Sequence, residues 1–309
     1  MSEPTPATLE EHLSPNQRAL RRFRRNKAAV AGLTTLAVLL LAILFFPTQP
    51  PNHITDEQFS RPGSQHWFGT DIHGRDIFAR VLAGGRISLL VGAVGASVSL
   101  VIGVLWGAIA GYVGGRTDAV MMRIVDVLYS LPTVIFVIIL IALLNGYVAT
   151  ARPGSFISEN ETMLRLVLLF VGIGAVSWLT MSRIVRGQVL SLKNRQFIDA
   201  SRSLGASHAR ILFRHILPNV AGVILVYLTL TVPSVILYES FLSFLGMGIR
   251  PPWASWGSLI SEGAQQLNPI RIYWWLLVFP CAMLITTLLA LNFLGDGLRD
   301  AYDPRADRV

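Results

Sequence analysis

Few residues in this 309-residue chain could carry out covalent chemistry, and their spacing argues against it. Lys27 and Lys193 are the only lysines, and neither sits in a glycine-rich loop that would bring its ammonium to nucleotide phosphates. An ATPase within the chain is therefore not expected. Cys281 is alone and lies in an apolar run, so neither a disulfide nor a cysteine-based metal site forms within the chain. His66 and His73 stand near Asp71 and Asp76 and have ligand chemistry. Their spacing is irregular, however, and the run Gly69-Thr70-Asp71-Ile72-His73-Gly74-Arg75-Asp76 reads more simply as a tight hydrogen-bonded turn. The remaining candidate chemistry is recognition. Phe197-Ile198-Asp199-Ala200-Ser201-Arg202-Ser203-Leu204-Gly205 places Phe197, Ala200 and Leu204, followed by Ala206, near one side of a short helix that turns at Gly205. Apolar residues on a polar segment suit a partner's groove, or else the helix packs on its own bundle or lies at a membrane interface.

The elements that must position such a knob are hydrophobic. Apolar residues make up 52% of the chain and charged residues 14%, well below the roughly 25% of an ordinary soluble domain. Six runs approach the length needed to cross a bilayer, about 20 residues: 28–46, 88–111, 120–144, 164–182, 220–238 and 274–294. The first follows a basic cluster with no small-residue cleavage site behind it, and reads as a retained anchor. Residues 1–17 are polar and are expected to be disordered. The net charge of +8 does not indicate nucleic acid, because the basic residues flank the apolar runs without interleaved aromatics. Of the 26 basic residues, eighteen fall on the side of the N-terminus, including Arg305 and Arg308. Eight fall on the other, Arg61, Arg75, Arg80, Arg86, Arg152, Arg165, Arg250 and Arg271. By the positive-inside rule both termini are cytoplasmic.

Within the membrane the pattern is sparse. Arg123, Asp126, Arg165 and Glu239 are placed near span ends, and Asn292 is the deepest polar residue of the last span. Proton- or ion-coupled carriers keep ionisable groups at membrane depth, so a secondary carrier is disfavoured. In the second span Gly95, Ser99, Gly103, Gly107 and Gly111 recur every fourth residue, which lets helix backbones approach closely, within this subunit or against a partner. Pro132, Pro233 and Pro280 mark kinks. Ile77, Phe78, Val81 and Leu82 form an apolar stripe suited either to an interfacial helix or to an ordinary packed one.

The loop at 197–218 resembles the EAA loop of ATP-binding-cassette importer permeases, Glu-Ala-Ala-x3-Gly-x9-Ile-x-Leu-Pro. Asp199 replaces the Glu, Ala200 matches, Ser201 replaces the second Ala, and Gly205, Leu217 and Pro218 match. His215 stands in the Ile slot, so the pattern does not fix how that end packs. Gly69–Asp76 with Arg80 and Gly84-Gly85-Arg86-Ile87-Ser88-Leu89 is similar to the oligopeptide and dipeptide permeases of that family. So are Phe241–Gly248, Ser255-Trp256-Gly257 and Gly295–Pro304. The likeness covers 21–305 and is strongest to the C-type oligopeptide permeases through 176–194 and 233–248.

The resemblance implies an all-α membrane protein with six transmembrane helices and the type I ABC importer permease fold. It divides the chain into a cytoplasmic segment 1–27, a first transmembrane helix 28–46, a periplasmic segment 47–87 with the turn and an interfacial helix, a permease core 88–294 with a cytoplasmic coupling loop 183–219, and a cytoplasmic tail 295–309. It further implies a multi-pass inner-membrane subunit paired with a second homologous permease, two ABC ATPases and an extracytoplasmic peptide-binding protein. ATP and Mg would be bound by the ATPases, with no cofactor in this chain. Phe197, Asp199, Ala200, Ser201, Leu204, Gly205, Leu217 and Pro218 would couple to the ATPases. Oligopeptides are the implied substrate, with dipeptide, nickel and antimicrobial-peptide importers as related alternatives.

Overall fold

Two side-chain caps set where the first long helices begin. In the computed structural model, which describes residues 15–46, 49–150, 152, 154–249, 251–267 and 270–302, Asn26 Oδ1 accepts from the Ala29 amide at 3.1 Å. Asp76 Oδ1 accepts from the Ala79 amide at 2.8 Å. Each satisfies a donor that the helix itself leaves unpaired. The polar stretch 1–14, Arg250, Arg305, Arg308 and the Asp303-Pro304 end of the C-terminal motif lie outside the described residues.

In chain order the helices are α1 (Pro15–Arg25), α2 (Lys27–Phe45), α3 (Ile77–Val98), α4 (Val104–Val113), α5 (Gly115–Ser130), α6 (Thr133–Ala149), α7 (Phe156–Glu159), α8 (Glu161–Leu192), α9 (Gln196–Ser203), α10 (His208–Arg210), α11 (Leu217–Phe244), α12 (Trp256–Gln265) and α13 (Trp275–Tyr302). A π-turn at Ser99–Gly103 joins α3 to α4, and another at Ile211–Ile216 leads into α11. Five segments are long and apolar enough to cross a membrane: 27–45, 77–113, 163–192, 208–244 and 275–302. A sixth is made if α5 and α6, which meet at 88°, are one broken span.

Several boundaries differ from the sequence expectation, each for a physical reason. Pro15–Arg25 is helical rather than disordered as far as Gln17, because Ala19 and Phe23 pack against Ala29 and Ala301. The stripe Ile77, Val81, Leu82 is not an interfacial helix but the first turns of the second span, buried against Trp256, Leu259, Trp275 and Leu276. The third apolar run is not one straight span: Pro132 lacks an amide donor, and α5 ends at Ser130. The last span continues through Gly295-Asp296-Gly297 to Tyr302, where a cytoplasmic tail was expected. A Cβ on Gly297 would collide with the Ala29 side chain, so this glycine serves the close α2–α13 approach and does not end the helix.

The small-residue stripe resolves as packing within the subunit. A Cβ on Gly103 would lie 2.7 Å from Met181 Cβ, and one on Gly107 would strike the Ser182 carbonyl oxygen. The stripe thus lets α4 lie backbone to backbone against α8. Apolar cores then stack along the bundle, with Trp256 and Trp275 at one end and Met181, Val185, Val189 and Ile216 at the other. On the orientation expected from the basic-residue asymmetry, the end carrying 49–76 and 251–267 is labelled outer and the end carrying 193–216 inner.

Candidate coupling site

The inner knob begins where α8 runs out. Its helix continues to Leu192, ten residues past the expected span end at 182. The extension carries Arg186, whose Nε and Nη2 bond Asp118 Oδ1 and Oδ2 at 2.5 and 2.7 Å. It also carries Arg183, bonded to Asp126 Oδ1 at 2.6 Å and lying over the Tyr129 ring at 4.0 Å. These pairs fasten α5 to α8. Lys193 then donates to the Gly111 carbonyl at 2.9 Å and closes the C-terminus of α4 against the turn.

Helix α9 follows and stops in a Schellman arrangement. The Ala206 amide donates to the Ser201 carbonyl at 3.1 Å and the Gly205 amide to Arg202 at 2.9 Å. That geometry needs a residue with positive φ, and Gly205 supplies +79°. A Cβ there would meet nothing within 4 Å, so the requirement at Gly205 is conformational and not steric. Ser207 caps the next turn by accepting from the Arg210 amide at 3.3 Å. His208 Nδ1 lies 2.9 Å from the Tyr112 hydroxyl, tying this turn to α4.

The two faces of α9 differ sharply. Ile198 is fully buried among Val185, Val189, Ile211, Leu212 and Ile216. Phe197 is 43% and Leu204 88% exposed, and Asp199, Ala200 and Gly205 are exposed beside them. Asp199 and Arg202 pair at 3.0 Å on the same open surface. The expected apolar side is therefore brought together in part. Phe197, Ala200 and Leu204 face outward, whereas Ala206 packs on the inner cluster with Leu217. Ser201 is half-buried, its hydroxyl turned back to the Phe197 carbonyl at 2.8 Å. Pro218 sits in the first turn of α11, directly after the π-turn at Ile211–Ile216. His215 is half-buried and its carbonyl accepts from Asn219 Nδ2 at 2.6 Å. The residue that sequence reasoning missed is Ile198, the wedge. Its signal was present as an apolar residue adjacent to Phe197, which on a helix must point elsewhere.

At the outer end the separate sequence motifs form one structure. Asp71 Oδ1 accepts from the His73 and Arg75 amides at 2.8 and 3.0 Å, which makes the expected tight turn. Its other oxygen takes Arg75 Nε at 2.7 Å and Arg80 Nη1 at 2.9 Å, and Arg80 reaches Glu262 at 2.6 and 3.0 Å. His66 Nδ1 lies 2.7 Å from Asp76 and Nε2 lies 3.3 Å from Glu57, so the imidazole bridges two carboxylates of the turn region. Trp256 donates its indole N–H to the Val81 carbonyl at 2.9 Å.

Glu239 corrects the sequence reading. It was expected just past a span end, yet α11 runs on to Phe244 and Glu239 is completely buried inside it. Its carboxylate accepts from Ser243 at 2.6 Å and from Ser88 at 3.4 Å, joining α11 to α3 beneath the outer motifs.

Comparison with known proteins agrees with this architecture. Residues 103–308 match the family described as binding-protein-dependent transport system inner membrane component, and residues 14–62 match the N-terminal TM domain of oligopeptide transport permease C. The chain is 46% identical over 295 residues to the oligopeptide transport system permease protein OppC of Haemophilus influenzae, covering 94% of this chain and 88% of that protein. It is equally 46% identical to the Escherichia coli protein of the same name, covering 94% and 91%. The dipeptide transport system permease protein DppC of Bacillus subtilis is 43% identical over 300 residues, covering 96% and 88%. The chain belongs to the binding-protein-dependent transport system inner membrane component family, and is a transport permease subunit with several membrane-spanning helices.

Proposed function

We propose that this permease subunit imports oligopeptides and is driven by ATPase subunits that seat on the outward face of α9. The names of its relatives support the substrate class, with dipeptides as the neighbouring reading. The observation that carries the mechanism is the two-faced α9. Phe197, Ala200 and Leu204 are open to a partner, while Ile198 on the other side is wedged between α8 and α11. An apolar face with no membrane to enter is satisfied by a protein groove.

In this reading a second homologous permease completes the pathway, and an extracytoplasmic binding protein delivers peptide to the outer end. Two ATPases bind ATP and Mg below, and both termini of this chain are cytoplasmic. Closure of the ATPases on ATP displaces α9, and through Ile198 the inner ends of α8 and α11 shift between two packed states. Asp199 with Arg202 and Ser201 with Phe197 hold the face in shape, Gly205 lets it turn, and Leu217 and Pro218 anchor it to α11.

The test is Gly205→Arg in the reconstituted complex. The left-handed backbone costs a non-glycine residue on the order of 1 kcal/mol, and the added charge lies on the docking face. The complex should still insert, while peptide-stimulated ATP hydrolysis and uptake are lost together. Full uptake by this variant would rule out docking through α9.

A further inference from the structure

Between α5, α8 and α11 lies a cavity of about 350 Å³, a size typical of a ligand cleft, whose wall carries Tyr129, Thr180, Tyr227, Thr231, Ser234 and Tyr238. Thr180 is near the middle of the apolar segment 163–192, and Thr231 is near the middle of α11. The three tyrosines are 42%, 38% and 41% exposed. Among the described residues, no hydrogen-bond partner meets the Tyr227 or Tyr238 hydroxyl. A hydroxyl left unpaired in hydrocarbon is costly, and polar side chains at membrane depth characteristically face a bundle interior or a water-filled path instead of lipid tails.

The hydrogen-bonding pattern narrows the occupant. Thr231 donates to the Tyr227 carbonyl at 2.7 Å and Ser234 to the Leu230 carbonyl at 3.1 Å, which leaves their oxygen lone pairs as acceptors. Tyr227 and Tyr238 have free O–H donors. Tyr129 and Thr180 are already joined at 2.7 Å. Acceptors and donors on one wall match the N–H and C=O that every residue of a peptide carries. The cavity wall itself bears no charged side chain; the Arg183–Asp126 pair lies beside it, with Arg183 stacked on Tyr129.

We infer that this hydroxyl-lined cleft is the subunit's half of the translocation pathway, binding the main chain of an extended peptide without regard to its side chains. The inference rests on the proposed peptide-import function and assigns the residues that contact substrate.

The experiment places the photo-reactive p-benzoylphenylalanine at Tyr238 in the assembled, vesicle-reconstituted transporter and supplies radiolabelled tri-alanine with binding protein and ATP. A labelled adduct on this chain is expected, dependent on ATP and binding protein, and competed equally by unlabelled tripeptides bearing Lys, Glu or Leu. In parallel, the triple variant Tyr227→Phe, Thr231→Val, Tyr238→Phe should raise KM about tenfold or more for all of these peptides, as loss of several modest hydrogen bonds predicts. An adduct formed only with the partner permease or with lipid, in a wild-type complex that imports tri-alanine, would overturn the inference alone. So would a variant whose KM changes for one side-chain class only. A wild-type complex that imports none of these peptides removes the peptide-import reading, and this one with it.

Discussion

At the outer end of the bundle Arg80, 2% exposed, holds Asp71 and Glu262 from inside, and Trp256 is entirely covered. At the inner end Leu204 is 88% exposed and the Asp199–Arg202 pair lies in the open. Both ends are built from short helices and turns attached to the same long helices, so the difference is not one of element type. Around Arg80 and Trp256 the outer end pairs its carboxylates and encloses its core within the chain, although Ile54, Trp67, Ile270 and Ile272 of the same end stay exposed. At the inner end α9 buries only its Ile198 side and leaves the opposite face unfilled. The enclosed Arg80 network reads as structural, and under the proposed function the open face of α9 is where a partner seats. The same contrast separates the two kinds of polar residue at depth, with Glu239 enclosed by serines and the hydroxyls around Thr231 open to the cleft.

If that comparison is right, substitutions at the two ends should fail differently. The largest loss of stability is expected for Arg80→Ala, which removes the more deeply buried of the two arginines shared by Asp71 and Glu262 and leaves Arg75 to pair with both. Removing one partner of a buried pair costs about 3–5 kcal/mol, read as a lower thermal unfolding midpoint in detergent and lower yield of inserted protein. Next is Ile198→Ala, for which truncation of a buried isoleucine predicts about 2–5 kcal/mol. Here the loss should concentrate in faster hydrogen exchange of α9 and the inner end of α8, with the outer end unchanged. The smallest is Asp199→Asn. The pair with Arg202 is solvent-exposed, so stability should change by less than about 1 kcal/mol, measured by the same melt. Arg80→Ala melting like wild type, or Asp199→Asn collapsing the fold, would erase the distinction between the ends.

Much of the architecture was legible because apolar run length is a direct physical constraint, and the first span at 28–46 agrees with α2 to within a residue. What could not be read was where a helix stops when neighbours decide it. Gly295-Asp296-Gly297 has the composition of a terminator, but packing against Ala29 keeps the chain helical to Tyr302. Pro132 looked like a kink and proved to be a break of 88°, because nothing in local sequence states whether the flanking turns realign. Glu239 escaped for a similar reason: its serine partners Ser88 and Ser243 are respectively distant and adjacent in sequence, and only the folded bundle shows the enclosure. The loop at 197–218 was legible as a unit, and the outward placing of Phe197, Ala200 and Leu204 on one side agrees with their helical spacing. Its internal wedge was not, since eight residues of α9 allow more than one buried side.

The central claim is that the open face of α9 is covered by an ATPase. The most direct measurement places a single thiol there, Leu204→Cys in a Cys281→Ser background, and treats the assembled complex with a short bis-thiol crosslinker after a cysteine has been placed in the ATPase cleft. The account predicts an adduct between this chain and the ATPase whose yield changes when ATP is bound. A complex that hydrolyses ATP and imports peptide, yet gives no ATPase adduct from position 204 in any nucleotide state, would contradict it.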